Sequence, residues 1–448
     1  MTEKVPTMKF LAILKDSLRE ALDTKVFYVM VGFSLLVVLL VGSIGYHPIS
    51  VEEEAHRLTD QMTWILAHFG NQKNVGGSQR WDIKDFEQTR PGAPAWETGY
   101  RFALTVEFAD AEQAKQARKV QGLSFSALQQ QLRGGFPYLK NLKVKSAPVP
   151  DPKELRYLIT TEAPEASAAQ DWPHYPVFLY VLPMRLWRQS VGSFVHFWES
   201  WLVNFFGAAI ALLISTIITA FFIPNMLRKG TVDLLLVKPI SRTALLLYKY
   251  VGGLTFIFLN TVVVVVGIWL VLGLRTNMWG TGFLLSIFVL TFQFALYYAV
   301  STLFAVLSRS PIVAILMTCL FWFVFALVFG YGYTVVDGTR KMRDILEIQT
   351  EATGQEVPPK DTLPDKPFSD VVYTTADIIH LVTPHLKDLD KLTDKWVIED
   401  VIPAGNPERK AAEKAYAGFR WTEAISVTSL YIVALLAVSC WWFARKDY

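Results

Sequence analysis

Six stretches of this chain run apolar for the length of a bilayer: Val26–Tyr46, Trp201–Ile223, Tyr250–Leu274, Gly282–Leu307, Pro311–Tyr333 and Ala424–Phe443. A hydrocarbon layer takes about 20 such residues as a helix, and none of the six contains Asp, Glu, Lys, Arg or His. The chain therefore reads as an integral membrane protein. Of its 448 residues 52% are hydrophobic and 19% charged, and it is the gathering of apolar residues into long blocks that excludes a soluble core with short periodic runs. The first block is longer than the roughly 7–15 residues of a signal-peptide core and lacks a small-x-small cleavage site after it, so it is expected to stay as an anchor. Cys319 and Cys440 both fall inside blocks, which leaves the parts outside the membrane without a disulfide.

Orientation follows from basic residues near span ends. With the N-terminus inside, the cytoplasmic side collects Lys4, Lys9, Lys15, Arg19 and Lys25, then Arg228, Lys229, Lys238, Arg242 and Lys249, then Arg309, Arg445 and Lys446, against Arg275 beside the short outer loop. Both termini are thus expected in the cytoplasm and the chain in the cytoplasmic (inner) membrane. The fold class expected is an all-α polytopic membrane protein of six transmembrane helices, with an extracytoplasmic α+β domain inserted between spans one and two. Its parts are a cytoplasmic interfacial helix (1–25), the first span (26–46), the extracytoplasmic domain (47–200), spans two to five with a cytoplasmic segment at 224–249 (201–333), a second extracytoplasmic insertion (334–423), and the sixth span and tail (424–448).

Within 1–25, Phe10, Ile13, Leu14, Leu18 and Leu22 recur at helical spacing, with Lys15 and Arg19 on other faces, as suits a helix lying in the interface. In the inserted domain "YRFALTVEF" (100–108), "KNLKVKS" (140–146) and "LRYLITTE" (155–162) read as strands, and "ADAEQAKQARKVQ" (109–121) and "FSALQQQLRG" (125–134) as helices. Segments 70–77 and 148–152 read as loops, 163–176 as a linker back to the membrane, and "MRLWRQSVGSFVHFW" (184–198) as an aromatic amphipathic stretch suited to the outer headgroup layer. In the second insertion, 353–367 is too rich in proline and charge to pack. There "TADIIHLVTPHLKDLDKL" (375–392) reads as an interfacial helix broken near Pro384.

No G-x-x-x-x-G-K-[ST] loop occurs, so nothing recognisable cradles a nucleotide, and no zinc-type spacing is present. His380 and His385, with Asp377 one turn earlier, invite a metal reading, but Pro384 is expected to break the helix that would align them, and no metal site is expected. Proton-coupled carriers relay charge through intramembrane acids or His. The spans here offer Asn204, Asn260 and Gln293 instead, more naturally hydrogen bonds between helices than substrate contacts, with Asn204 and Gln293 held as candidates for a pathway.

The segment "FFIPNMLRKGTVDLLLVKPISRTALLLYKY" (221–250) remains. Pro224 ends or kinks the second span, Gly230 permits a reversal, Thr231 can cap a short helix over Leu234–Val237, Pro239 stops it, and Ser241 can cap the next helix into the third span. A short rigid element joined to two spans is suited to take a push from a soluble partner. This segment resembles the type-2 ATP-binding-cassette (ABC) permeases, the membrane subunits of many bacterial exporters. The resemblance lies in "RKGTVDLLLVKPISRTALLLYKYVGG" (228–253), with "KFLAILKDSLREALDTKVFYV" (9–29) similar to the family's N-terminal interfacial helix and "FARKDY" (443–448) to its basic end.

The resemblance implies a permease subunit, itself not an enzyme, driven by a separate ABC ATPase. ATP and Mg would be held in that partner and no cofactor in this chain. Permeases pair as homodimer or heterodimer in the lipid bilayer, and no nucleic acid is involved. ATPase coupling would fall to Arg228, Lys229, Gly230, Thr231, Asp233, Leu234, Leu235, Leu236, Lys238, Pro239 and Arg242. Within that set Thr231, Asp233 and Leu234–Leu236 dock the ATPase, while Arg228, Lys229 and Arg242 anchor to headgroups. The large first insertion departs from many members, whose first outer loop is short. It leaves open an alternative, a non-transporting mechanical transmitter or scaffold acting through that domain on an envelope partner.

Overall fold

The computed structural model describes residues 25–69, 80–119, 132, 139, 141–163, 172–185, 187–204, 212–226, 241–339, 341, 368–402, 404, 407–416 and 420–446. The interfacial helix expected at 1–25, the loop at 70–77, the core of the helix at 125–134 and the polar run 353–367 lie outside them. Helix α1 (Lys25–Gly42) is followed by a first compact unit, Ile44–Phe194. That unit holds β1 (Gly45–Pro48), α2 (Val51–Phe69), β2 (Arg80–Gln88), β3 (Tyr100–Glu107), α3 (Ala111–Lys119), β4 (Lys143–Ala147), β5 (Glu154–Thr160), β6 (Pro173–Phe178), β7 (Leu182–Pro183) and β8 (Gln189–Ser190).

Strands β2, β3, β5 and β4 form an antiparallel sheet in that order, and β1, β6 and β7, with β8 on β6, form another. In β3 every residue from Phe102 to Val106 is buried, so both faces of this central strand are covered. Phe102 stands opposite Ile159 and Leu104 opposite Tyr157. With Val51, Ala55, Val144 and Trp172 they form the core of the unit, each large side chain contributing about 1.5–3 kcal/mol by leaving water. Trp172 is fully buried and its indole N–H donates to the Ile49 carbonyl at 3.1 Å.

Two features of this unit depart from the sequence reading. The linker expected at 163–176 ends in β6, whose Gly45–Val177 to Pro48–His174 register with β1 ties the start of the unit to its end. Strand β2 escapes a search for alternation because the register shifts between Lys84 and Glu87, where Asp85 takes φ 54°, as a bulge does. The aromatic stretch 184–198, continuous in its amphipathic character, divides between β8 and the start of α4 (Val191–Trp201).

The second unit, whose described elements are all helices, comprises α1, residues from Val195 onward in α4, α5 (Leu212–Thr219), α6 (Phe222–Met226), α7 (Arg242–Thr276), α8 (Thr281–Ser308, opening as a 3-10 turn), α9 (Pro311–Thr339), α10 (Asp370–Val382), α11 (Leu386–Val401), α12 (Pro407–Ala415) and α13 (Trp421–Arg445). Among the described residues four helices, α7, α8, α9 and α13, are long and apolar enough to cross a membrane. The first two blocks give the shorter apolar helices Tyr28–Gly42 and Ile214–Pro224. Helix α1 stops at Gly42 because Gly45 and Tyr46 are taken up as a strand, and the second block is interrupted by the turn at Ala220 and Phe221, just ahead of Pro224.

Helix α8 is the hub. In its most apolar window 72% of residues are buried, against 28% for α7 and 17% each for α9 and α13, so α8 is enclosed by protein while the others turn apolar side chains outward. Helices α5, α7, α9 and α13 all pack on it. Small residues permit this closeness, as is usual between helices in lipid. A Cβ on Gly253 of α7 would lie 2.6 Å from the Tyr298 ring of α8. That ring is fully buried and stacked on Tyr250 at 5.1 Å, whose hydroxyl donates to the Ala295 carbonyl at 2.6 Å. Between α1 and α7, Ser34 donates to Asn260 Oδ1 at 3.0 Å.

Gly253→Ala therefore forces apart a contact in which neither partner has room to move. We expect it to destabilise the detergent-solubilised protein by about 1–3 kcal/mol, read as a lower thermal midpoint. Tyr298→Ala in the same chain should remove the extra penalty, and equal midpoints for wild type and Gly253→Ala would contradict the close approach.

Candidate functional site

The helical unit has two ends, set by chain direction. Helix α7 begins, α8 meets α9, and α13 finishes at one end. Helix α7 ends, α8 begins, and α13 starts at the other. At the first end Ser241 caps α7 by accepting from the Ala244 N–H at 3.2 Å, and Arg242 donates to the Lys446 carbonyl at 2.9 Å. The start of α7 is thereby fastened to the finish of α13. Of the coupling residues read from the sequence, Arg242 is described; residues 228–239 lie outside the described residues.

At the other end the helices of the second insertion close over the spans. Helix α10 stops at Val382, residues 383–385 turn, and α11 runs back against the 3-10 turn of α8, the π-wound part of α9, and α13. Leu389 of α11 packs with Val289 of α8 and Ala424 of α13. The π-helical winding of Phe323–Tyr331 adds a residue per turn and rotates the rest of α9 about its axis. Tyr331 thereby sits under the Lys387 ammonium, 4.3 Å from its ring centre.

Helix α11 brings a row of carboxylates to this contact. Asp390, buried, accepts from Gln293 Nε2 at 2.6 Å and from Lys387 Nζ at 3.0 Å, and the same Gln293 amide donates to the Leu386 carbonyl at 3.1 Å. Burial raises the Asp390 carboxyl above its ordinary range despite Lys387 and Gln293. Lys387 is held above its usual value because the pull of Asp390 and Tyr331 outweighs its own burial. Asp394 accepts from His196 Nε2 at 3.0 Å and from the Ser200 and Tyr416 hydroxyls. Burial alone would raise its carboxyl, but those three contacts take it below the ordinary range. Asp400 accepts from the Gly282 N–H at 2.6 Å and from Thr281 at 3.3 Å, satisfying the open donors at the start of α8. A Cβ on Gly282 would fall 2.7 Å from the Trp396 carbonyl oxygen, so glycine is what lets the two backbones meet. Glu199, buried beside Asp400, has its carboxyl raised well above the ordinary range by burial and by that negative neighbour.

Of the two pathway candidates, Gln293 is thus engaged with α11. Asn204 follows α4, its Oδ1 buried and without a hydrogen-bond partner among the described residues. Neither lines the apolar cavity of about 270 Å³ between α1, α5 and α7, where Ser34 and Asn260 are the paired polar groups. The carboxylates of α11 escape a reading of the sequence because they lie outside every apolar block. The signal that could have found them is the interleaving of Lys387–Asp390 and Asp388–Lys391 pairs at i, i+3 with Leu386, Leu389, Val397 and Val401 on a helical stripe.

A family model described as ABC-2 family transporter protein matches residues 11–448. The chain belongs to that family. No curated protein matches it. An ABC-2 permease is a multi-pass membrane component of an ABC transporter; it is not itself catalytic, and the family in general works with an ABC ATPase. In this ABC-2 protein the polar machinery of the described residues is concentrated at the end of the bundle opposite Arg242 and Lys446.

Two outcomes are expected at that end. Lys387→Met leaves the Asp390 carboxylate buried without its cation and should cost about 3–5 kcal/mol; adding Asp390→Leu should recover most of it, measured by unfolding in detergent as a double-mutant cycle. Additive losses would show that the two groups do not interact. Because the folded-state pKa of Glu199 is raised, its contribution is complete below the ordinary carboxylate range and is lost as pH rises through the raised value. The wild-type thermal midpoint should therefore fall, relative to Glu199→Gln, from mildly acidic to alkaline pH; parallel curves would refute the protonated assignment.

Proposed function

We propose that this ABC-2 protein is the permease of an exporter, a six-span subunit of the inner membrane with both termini in the cytoplasm, moved by a separate ATPase docked at 228–242. The observation that carries the reading is the Arg242 to Lys446 hydrogen bond at 2.9 Å. A displacement received by the coupling segment reaches α7 directly, and through that bond reaches α13 as well. The basic residues clustered at this end support its cytoplasmic placement. Two permeases with two ATPases, as homodimer or heterodimer, would rock against each other when ATP closes the ATPases, and ATP and Mg would be held by the partner.

A second reading is favoured by one feature, the separate core of the Ile44–Phe194 unit. A folded unit of that size outside the membrane suits a mechanical transmitter or scaffold acting on an envelope partner. Both readings require the same ATPase contact.

Leu235→Asp places a charge in the apolar part of that contact, where an unpaired buried charge costs several kcal/mol. Membrane abundance should stay near normal, since every basic residue remains, while co-purification of the ATPase falls. Lys238→Gln with Arg242→Gln should instead weaken headgroup anchoring, at about 1 kcal/mol per basic residue, and leave ATPase capture largely intact. Full retention of the ATPase by Leu235→Asp would end the coupling assignment.

A further inference from the structure

At the elbow between α10 and α11 the chain folds two imidazoles and a carboxylate onto one point. From the sequence, Pro384 is expected to keep His380 and His385 from lining up. The turn it enforces does the reverse: their rings stack at 4.1 Å between centroids, with Tyr333 of α9 stacked on the outer face of His380 at 3.7 Å. His380 Nε2 is 2.7 Å from Asp388 Oδ2, and His385 Nδ1 is 3.9 Å from the same oxygen. The three ligand atoms lie within 4.8 Å of one another, a spread that brackets the separation of about 3.3 Å set by bonds of about 2.0 Å in a tetrahedral site.

His380 Nε2 and Asp388 Oδ2 share a hydrogen at 2.7 Å, whose place a cation would take. His385 Nε2 is 2.7 Å from the His380 carbonyl oxygen, which can only accept, so Nε2 carries the hydrogen. In the neutral ring Nδ1 then carries a bare lone pair. This lone pair faces a carboxylate oxygen, an opposition of two electron-rich atoms that a cation between them would reverse. Asp388 Oδ1 is occupied by Lys391 Nζ at 2.8 Å, leaving Oδ2 for the centre. A ring nitrogen donating to a backbone carbonyl and a carboxylate braced by a second partner are the outer contacts that orient metal ligands.

We propose that His380 Nε2, His385 Nδ1 and Asp388 Oδ2 bind a zinc-class divalent ion that clamps α10 to α11. Two imidazoles and one carboxylate are the donor set that zinc accepts with a fourth position open. All three ligands line a polar cavity of about 350 Å³ whose wall also carries Asp337, Asp377 and Glu423 together with Lys341, Lys391 and Arg420. His380 hangs from α10, His385 opens α11 and Asp388 sits in its first turn. One ion would therefore fix the elbow on the far side of α11 from the Asp390–Gln293 contact.

The test uses the full chain in detergent, freed of any affinity tag and stripped with chelator, titrated with Co²⁺ and then with Zn²⁺. We expect one Co²⁺ per chain with ligand-field absorption of a four- or five-coordinate site, displacement by Zn²⁺, and a higher thermal midpoint with Zn²⁺. His385→Ala and Asp388→Asn should bind more than ~100-fold more weakly, a ligand counting for at least as much as the 10–100-fold of an outer contact. His196→Ala, at the other imidazole–carboxylate pair, should bind as wild type. Absence of Co²⁺ bands in the wild type overturns the site without recourse to any variant, and so does unchanged binding in folded His385→Ala.

Discussion

A polar side chain enclosed by apolar helices must find a partner, and in this chain that requirement falls on Gln293. It lies on α8, the helix most enclosed by the rest of its unit, where an unpaired amide would cost as much as a lost core contact. Its partners come from α11, which is not among the helices long and apolar enough to cross a membrane: the Asp390 carboxylate and the Leu386 carbonyl. Those groups are in turn tolerable in their burial because Gln293 and Lys387 satisfy them. Hub and cap thus pair the Gln293 NH2 with both of its acceptors, while its Oε1 is buried without a hydrogen-bond partner among the described residues. The same logic repeats along α11, with Asp394 meeting His196, Ser200 and Tyr416, and Asp400 meeting the open N–H of Gly282.

What could be read from the sequence divides along physical lines. Long apolar blocks announce spans by length alone, and α7, α8, α9 and α13 stand where those blocks lie. Local hydrogen-bonding chemistry is equally legible: Ser241 caps α7 as its position before the helix suggests, and the second insertion breaks beside Pro384. Features that depend on distant pairing are not. Strand β6 looks like linker until β1 is beside it, β2 is disguised by its bulge, and α1 gives up its last turn to a strand at Gly45. The absence of ionisable residues from the blocks is a sound reading in itself, yet it hides the carboxylates that α11 brings up to the spans from outside them. The stacking of His380 on His385 is hidden for a further reason: a proline break signals separation in one dimension and says nothing of where the turn leads.

The contacts at the two ends of the helical unit bear on how motion would pass between them. At one end the Arg242 to Lys446 hydrogen bond and the packing of Leu245 and Leu246 in one apolar cluster with Phe443 join α7 to α13, so the two helices tilt together. At the other, α11 is held to α8 by Gln293 and Gly282, to α13 through Leu389 and Ala424, and to α9 through Tyr331. A close-packed contact of that sort does not deform gradually. Under the proposed function, tilting α7 and α13 together at the first end leaves α11 two choices: to travel with α13 and strain its hold on α8, or to stay on α8 and open a gap against α13. The first separates Gln293 from Asp390 and leaves a buried carboxylate with one partner fewer; the second parts the apolar Leu389–Ala424 contact and the exposed hydrogen bond from Tyr431 to the Val382 carbonyl, which water can replace. The cheaper path keeps α11 on the hub, so α8, α9 and α11 move as one body, and the seam that opens lies along α13.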